Sequence, residues 1–249
     1  MQIPTIKNGA FFIADAHHIP PDNKLKTMIK KLIAHPPPQV FFMGDIFHLF
    51  IGHIPTSIKN NADIISLIND LSLKTEVFYF EGNHDFGIDA HLLNKVKIYP
   101  RSLQPAFFQY QNKKILLAHG DIFLTKNYDI YIRTLGNPFV LSILKLLDLL
   151  SFGVIYKNIA NKINKKTIKK FQINDEDFVI FLKQRQKKYS NFAKKYDIKH
   201  INGIIEGHFH IGKIEQNYIC LPSFYCEQIG FIFDPQKDEG KIGSFDEKI

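Results

Sequence analysis

Phe80-Glu81-Gly82-Asn83-His84-Asp85-Phe86 is the stretch from which this chain is best read. An apolar run ends in a glycine turn that delivers Asn, His and Asp together, side chains that bind metals or move protons. Four other apolar runs end in the same manner, at Asp15-Ala16-His17, Gly44-Asp45, His119-Gly120-Asp121 and Gly207-His208-Phe209-His210. Loops at strand ends hold chemistry on a rigid frame. Five such ends rich in oxygen and nitrogen ligands point to one shared metal site.

The intervening sequence supplies the frame. Buried strands are expected over residues 10–14, 40–43, 76–80, 114–118 and 201–205, with later strands over 218–221 and 229–233. Leu25, Met28, Ile29, Leu32 and Ile33 recur at helical spacing after Asp22, and a second helix is expected over 57–71. Two successive β-loop-helix-β units predict a parallel or mixed sheet covered by helices, hence an α/β fold. Between His119 and His200 the pattern changes to an apolar run (Phe139–Tyr156), a lysine-rich stretch and a helical pattern over Asp175–Tyr196. This reads as a helical cap insertion, about 122–198, over the strand-end face of a single domain covering 1–249. The polar tail from Pro235 reads as a mobile end.

Composition bounds the partners. A formal charge of +8 favours an anionic one: nucleic acid, a phosphorylated metabolite or acidic lipid. With 23 Phe and no Trp, phenylalanine must carry much of the core. Cys220 and Cys226 read as reduced thiols, in keeping with a cytoplasmic protein. Lys145, Asp148 and Gly153 interrupt the most apolar run, which argues against a membrane span and leaves an interfacial helix open.

Mixed carboxylate and imidazole ligands suit Mn²⁺, Fe²⁺ or Zn²⁺ better than Ca²⁺ or Mg²⁺ alone. Asp15 and His17 are two apart, so an extended chain would point both to one side, and His208 and His210 repeat the spacing. Two metals need a bridging carboxylate, for which Asp45 is the best placed, while Asn83 offers a neutral carbonyl oxygen. Metals about 3.5–4 Å apart can hold both the attacking and the leaving oxygen of a phosphoryl transfer. Of the remaining histidines, His48 reads equally well as a support or a surface residue, and His18 as a neighbour pointing away. His35, His53, His91 and His200 read as solvent or helix-end residues. Asp121 reads as a support for His119 or a turn cap.

These blocks, D-x-H at Asp15–His17, G-D at Gly44-Asp45, G-N-H-D at Gly82–Asp85, His119, and G-H-x-H at Gly207–His210, resemble the calcineurin-like metallophosphoesterase family, in its order. The resemblance implies a four-layer α/β-β/α sandwich with two divalent ions, Mn²⁺ foremost. It implies Asp15, His17 and His210 on one ion, Asn83, His119 and His208 on the other, and Asp45 between them. His84 would contact the phosphate and help the leaving group, with Asp85 orienting it. After His119, the order Thr125, Tyr128, Arg133, Asn137-Pro138, apolar helix and basic segment is similar to the UDP-2,3-diacylglucosamine pyrophosphatases of lipid A synthesis. That similarity implies release of UMP and the acyl sugar phosphate from a nucleotide-activated acyl sugar. Asn83, His84, His208, Asn127, Tyr128 and Arg133 would contact substrate. It also implies an acidic membrane surface as partner, a peripheral place on the inner face of the cytoplasmic membrane, and no obligate nucleic acid. The main group of those enzymes has G-N-R-D where this chain has G-N-H-D. A metallophosphodiesterase for another nucleotide, a nucleic acid or a lipid phosphodiester is the alternative. The oligomeric state is open.

Overall fold

The computed structural model describes residues 3–235 and the backbone of residues 244–246. In chain order the first half comprises β1 (Ala10–Ile13), α1 (Lys24–Ala34), β2 (Gln39–Phe42), β3 (Phe50–Ile51), α2 (Pro55–Asn60), α3 (Ala62–Ser72), β4 (Glu76–Phe80), β5 (Asp85–Phe86) and β6 (Lys97–Tyr99). There follow β7 (Ala106–Tyr110), β8 (Lys113–Ala118), α4 (Lys126–Leu135), α5 (Pro138–Leu150), α6 (Val154–Ile163) and α7 (Asp175–Lys194). The chain then forms β9 (Gly203–Glu206), β10 (Lys213–Glu215), β11 (Tyr218–Cys220), α8 (Phe224–Glu227), β12 (Gly230–Phe233) and β13 (Ser244–Asp246).

One sheet runs β13-β12-β1-β2-β4-β6 and the other β10-β11-β9-β8-β7, with β3 and β5 as a separate two-stranded ribbon. β1, β2, β4 and β6 are mutually parallel, as the β-loop-helix-β reading expects. Every residue of β1 and β2 is buried because both faces are covered. Phe11 and Ile13 pack with α1 and α3, while Ala10 and Phe12 face the second sheet. Across the interior, Phe12, Phe41 and Phe78 are register neighbours whose rings stack at 4.3 and 4.5 Å. Phe108 of β7 meets Phe41 and Phe78 edge-on at 5.5 and 5.3 Å. The phenylalanine excess therefore forms the contact between the sheets.

The expected helices divide at identifiable points. The helix over 57–71 breaks at Asn61 (φ −114°, ψ 12°), whose side-chain amide donates to Ser57 O. The run over 139–156 breaks at Phe152 (φ 51°) and Gly153 (φ 79°), where the Gly153 N–H donates to Asp148 O. A Cβ at Gly153 would fall 2.3 Å from Thr56 Oγ1, so glycine there lets the cap turn close on α2. Buried Asp148 completes the joint by accepting from Thr56 N at 3.0 Å.

The segment expected as cap does not act as one unit. Phe178, Leu182, Tyr189 and Ala193 of α7 pack on Leu116, Ala118, Ile204 and Tyr218 of the second sheet. α7 is thus the outer layer of the sandwich, and only α4–α6 form the insertion. α5 and α6 attach to the β3–β5 ribbon through Ile51, Ile54, Phe86, Leu141 and Tyr156. Both cysteines are free. The tail expected to be mobile contributes β13, paired antiparallel to β12, and otherwise lies outside the described residues.

Phe41→Ala should cost about 3–5 kcal/mol of unfolding free energy, the usual range for emptying a packed phenylalanine site. Phe152→Ala, at a position 90% exposed, should stay within about 0.5 kcal/mol in the same urea titration.

Candidate metal centre

Each predicted ligand follows a strand end, but five of the seven stand in left-handed rather than extended backbone. Asp15, His17, Asp45, His208 and His210 have φ of 52°, 40°, 51°, 69° and 54°. Non-glycine residues pay about 1–3 kcal/mol for such conformations, which collect at functional sites. The two-residue spacing therefore does not work through strand alternation: β1 stops at Ile13, and successive left-handed turns bring Asp15 and His17 together.

The turns converge two groups of ligand atoms, Asp15 with His17 and His210, and Asp45 with His119 and His208, each within 4.8 Å. In the first group, His210 Nε2 lies 3.3 Å from both His17 Nε2 and Asp15 Oδ1. In the second, His119 Nε2 lies 3.3 Å from Asn83 Oδ1 and 3.5 Å from Asp45 Oδ2. A Cβ at Gly82 would fall 2.2 Å from Asp45 Oδ1, so only glycine permits this approach. Asp45 also acts on His17 across the two groups.

Backbone carbonyls set the imidazole tautomers. His119 Nδ1 faces Met43 O at 2.9 Å and His210 Nδ1 faces Lys169 O at 3.1 Å. A carbonyl only accepts, so each Nδ1 carries a proton and each Nε2 points into the cluster, the atom left to serve as ligand. Burial pulls the His17 imidazole down to about 3, against the opposing pull of Asp45 and Asp15. Burial and then His119 take His208 down to about 4. Both rings stay unprotonated at neutral pH and available as ligands. Burial alone would raise the Asp45 carboxyl, but His119 holds it well below the ordinary range. Burial disfavours charge on His119 and His210 as well, but Asp45 raises His119 well above the ordinary range and Asp15 raises His210, so these carboxylates call for positive charge that a pair of divalent cations would supply in place of the protons.

His84 stands beside this cluster, its ring 5.0 Å from that of His17. Its Nδ1 donates to His48 O at 2.6 Å, and its backbone N–H donates to Asp45 Oδ1. Asp85 does not orient the His84 ring, contrary to expectation. Fully buried, its carboxylate accepts from Asp45 N, Ile46 N, Gly82 N and Tyr79 Oη at 2.6–2.9 Å, which saturates it with the two glycine loops.

The cap residues separate. Arg133 lines a cavity of about 530 Å³ with Gly82, Phe86, Arg101, Ile122, Leu124 and Ile132, whereas Asn127 and Tyr128 do not line it. Tyr128 Oη lies 3.4 Å from Asp121 Oδ2, and Asn127 is exposed. Asp121 pairs with Arg101 at 2.7 Å, a residue the sequence reading passed over with its strand β6, although the alternation Lys97-Ile98-Tyr99 was there to be read. Also missed was Arg185, which binds Glu206 through Nε at 2.8 Å and grips Gly120 O and Ile122 O on either side of Asp121. Tyr189 and Tyr218 donate to the same carboxylate. His48 and His18 are both buried, and His53 binds Gly87 O, while His35, His91 and His200 are exposed as expected.

The chain is 26% identical to a UDP-2,3-diacylglucosamine hydrolase of Aromatoleum aromaticum over 40% of this chain and 41% of that protein. It is 26% identical to one of Coxiella burnetii over 55% and 58%. The chain thus spans about half the length of the curated relatives it matches. A dimetal phosphatase from Danio rerio aligns over 92% of this chain and 94% of that one, at 12% identity and a TM-score of 0.42. The Pseudomonas putida nuclease MPE aligns over 46% and 55%, at 17% identity and a TM-score of 0.31. The calcineurin-like phosphoesterase model matches residues 10–212, a span that holds all five ligand-bearing strand ends. The chain therefore belongs to the calcineurin-like phosphoesterase family, as a hydrolytic metallophosphoesterase.

Proposed function

We propose that this enzyme hydrolyses the pyrophosphate of UDP-2,3-diacylglucosamine to UMP and 2,3-diacylglucosamine 1-phosphate, with two Mn²⁺ ions and at an anionic membrane surface. The observation that carries this reading is the outer face of the cap. Phe139, Ile143, Leu146, Leu147 and Leu150 recur along one side of α5 and are all exposed, while Leu141 and Asp148 face inward. Phe152, Val154, Ile155 and Ile159 continue the apolar surface onto α6. Between Ile130 and Ile173 the only acidic residue is Asp148, which is buried, whereas Lys145, Lys157, Lys162, Lys165 and Lys166 are exposed. Apolar surface ringed by lysine with no exposed carboxylate suits the headgroup boundary of an anionic leaflet, where an acylated substrate resides. No single helix among the described residues is long and apolar enough to cross a membrane. The names of the curated relatives point to the same substrate.

The ions would be held by Asp15, His17 and His210, and by Asn83, His119 and His208, with Asp45 between them, and would polarise the phosphoryl oxygens. His84, fixed through Nδ1, presents Nε2 to the phosphate and the departing oxygen. Arg101 and Arg133 bring positive charge to the cavity beside Gly82. Asp129 compensates part of it, being paired with both.

Three outcomes test the reading. With Mn²⁺, purified protein should release UMP from UDP-2,3-diacylglucosamine far faster than it cleaves CDP-lipids or simple phosphodiesters; the reverse order would sink the substrate assignment. His84→Ala should lower kcat by about 10²–10⁴-fold with metal content unchanged, whereas Asp45→Ala should lose metal as well, read by elemental analysis and steady-state kinetics. In co-sedimentation, wild type should pellet with phosphatidylglycerol vesicles but not with phosphatidylcholine ones, and Leu146→Glu with Leu150→Glu should abolish pelleting.

A further inference from the structure

Beside the centre lies a second cavity, of about 340 Å³, that shares no lining residue with the first. Its walls are His18–Pro20 after β1, His48 and Leu49 after β2, Asn60 and Asn61 at the α2–α3 break, and the inner side of α6. The walls are fixed. Tyr156 Oη donates to Leu49 O at 2.9 Å, and His48 Nε2 donates to Ile163 O at 3.1 Å, so α6 is pinned to the β2 loop at both ends.

The chemistry of this cavity differs from that of its neighbour. The larger cavity carries Phe86, Ile122, Phe123, Leu124 and Ile132 among its charged groups. The smaller one is lined by the amides of Asn60, Asn61, Asn161 and Asn164 and by Lys157, with no carboxylate. Among the described residues, the side chains of Asn60, Asn161 and Asn164 make no hydrogen bond within the protein, which leaves three amides free to donate and accept. His18 is 3% exposed, yet neither ring nitrogen has a protein partner, and buried His48 Nδ1 has none either. Buried polar groups are nearly always paired, so the two unpartnered ring nitrogens of buried His18, with the solvent-facing amides of Asn60, Asn161 and Asn164 around the same cavity, mark a place for a polar ligand. An acyl chain placed there would leave them all unsatisfied.

His48 connects this cavity to the metal centre. Its ring lies 5.4 Å from those of both His17 and His84. A phosphoryl group held at these two histidines can therefore direct one substituent past His48 into the polar cavity.

We infer that the cavity between α6 and the α2–α3 junction is the nucleoside subsite: its asparagine amides read the base and ribose, and the acyl sugar lies in the larger cavity by Arg101. This rests on the reaction proposed above, but UMP binding tests it separately. The experiment measures inhibition of bis(p-nitrophenyl) phosphate hydrolysis by UMP and by 2,3-diacylglucosamine 1-phosphate, in wild type and in the double variant Asn161→Ala, Asn164→Ala. Both residues are exposed, Asn161 on α6 and Asn164 just past its end, so the fold should tolerate loss of their side chains. Loss of two hydrogen bonds should weaken UMP inhibition by about tenfold and leave inhibition by the acyl sugar phosphate unchanged. Unchanged UMP inhibition, or weakening confined to the acyl sugar phosphate, would overturn the assignment. Wild type that binds UMP through these asparagines but leaves UDP-2,3-diacylglucosamine intact would retain the subsite and remove the proposed substrate.

Discussion

The metal centre depends on a carboxylate that faces neither metal nor substrate. Asp85 collects the N–H groups of Asp45, Ile46 and Gly82, joining the loops that follow β2 and β4 after sheet hydrogen bonding has ended. Those donors are buried, and without an acceptor each would carry the full penalty of desolvation. These buried bonds hold the Asp45 loop in its left-handed conformation, although burial and then the Asp45 charge push the Asp85 carboxyl up to about 7. Two further carboxylates repeat the device. Asp15 Oδ2 accepts from His208 N at 2.8 Å and ties the first sheet to the second. Glu206, gripped by Arg185, Tyr189 and Tyr218, anchors the last residue before Gly207-His208. Backbone strain at the ligands and buried polar networks behind them are two halves of one design.

This explains what was legible in the sequence and what was not. Side-chain chemistry at strand ends is local information, so Asp15, Asp45, Asn83, His119 and His208 could be picked out from the residues that precede them. The route by which Asp15 and His17 meet was misread because a left-handed turn in a non-glycine residue leaves no local signature, and extended spacing gives the same pairing on paper. The family resemblance assigned Asp85 to His84; its actual partners are Tyr79 and Gly82 and, across the fold, residues 45–46. Arg185 lay within a helix read as cap, and its role became visible only once α7 was seen to cover the second sheet. Gly153 did carry a signal. An isolated glycine in an apolar helical run marks a bend, and this one permits contact with Thr56.

The cap resolves the ambiguity of an apolar helix. The inner side of α5 is ordinary packing: Leu141 joins Ile51, Ile54, Phe86 and Tyr156, and Asp148 docks on Thr56 N. Had the remaining leucines been buried as well, they would carry no functional meaning. Instead Phe139 is 74% exposed and the leucines on its side of the helix are exposed with it. A soluble surface rarely leaves so continuous an apolar patch uncovered. The lysines that follow give the patch a charge preference that packing does not require.

His84 is the position at which chemistry and substrate class meet. An arginine there would supply a permanent charge, whereas an imidazole can also give up a proton at neutral pH. Hydrolysis of an alkyl phosphodiester expels an alkoxide, and a proton at His84 Nε2 would be decisive. Hydrolysis of a pyrophosphate expels a phosphate, which departs as a stable anion and needs charge or hydrogen bonding more than protonation. The His48 carbonyl accepts from His84 Nδ1 and directs Nε2 outward, where the imidazolium form has a proton to offer either leaving group. The motif therefore specifies phosphoester hydrolysis without specifying the ester, and discrimination passes to the two unlike cavities beside it, one amphipathic and one amide-lined. On the function proposed above, a substrate with unlike arms on its two phosphorus atoms would engage both, whereas a symmetrical diester would satisfy at most one.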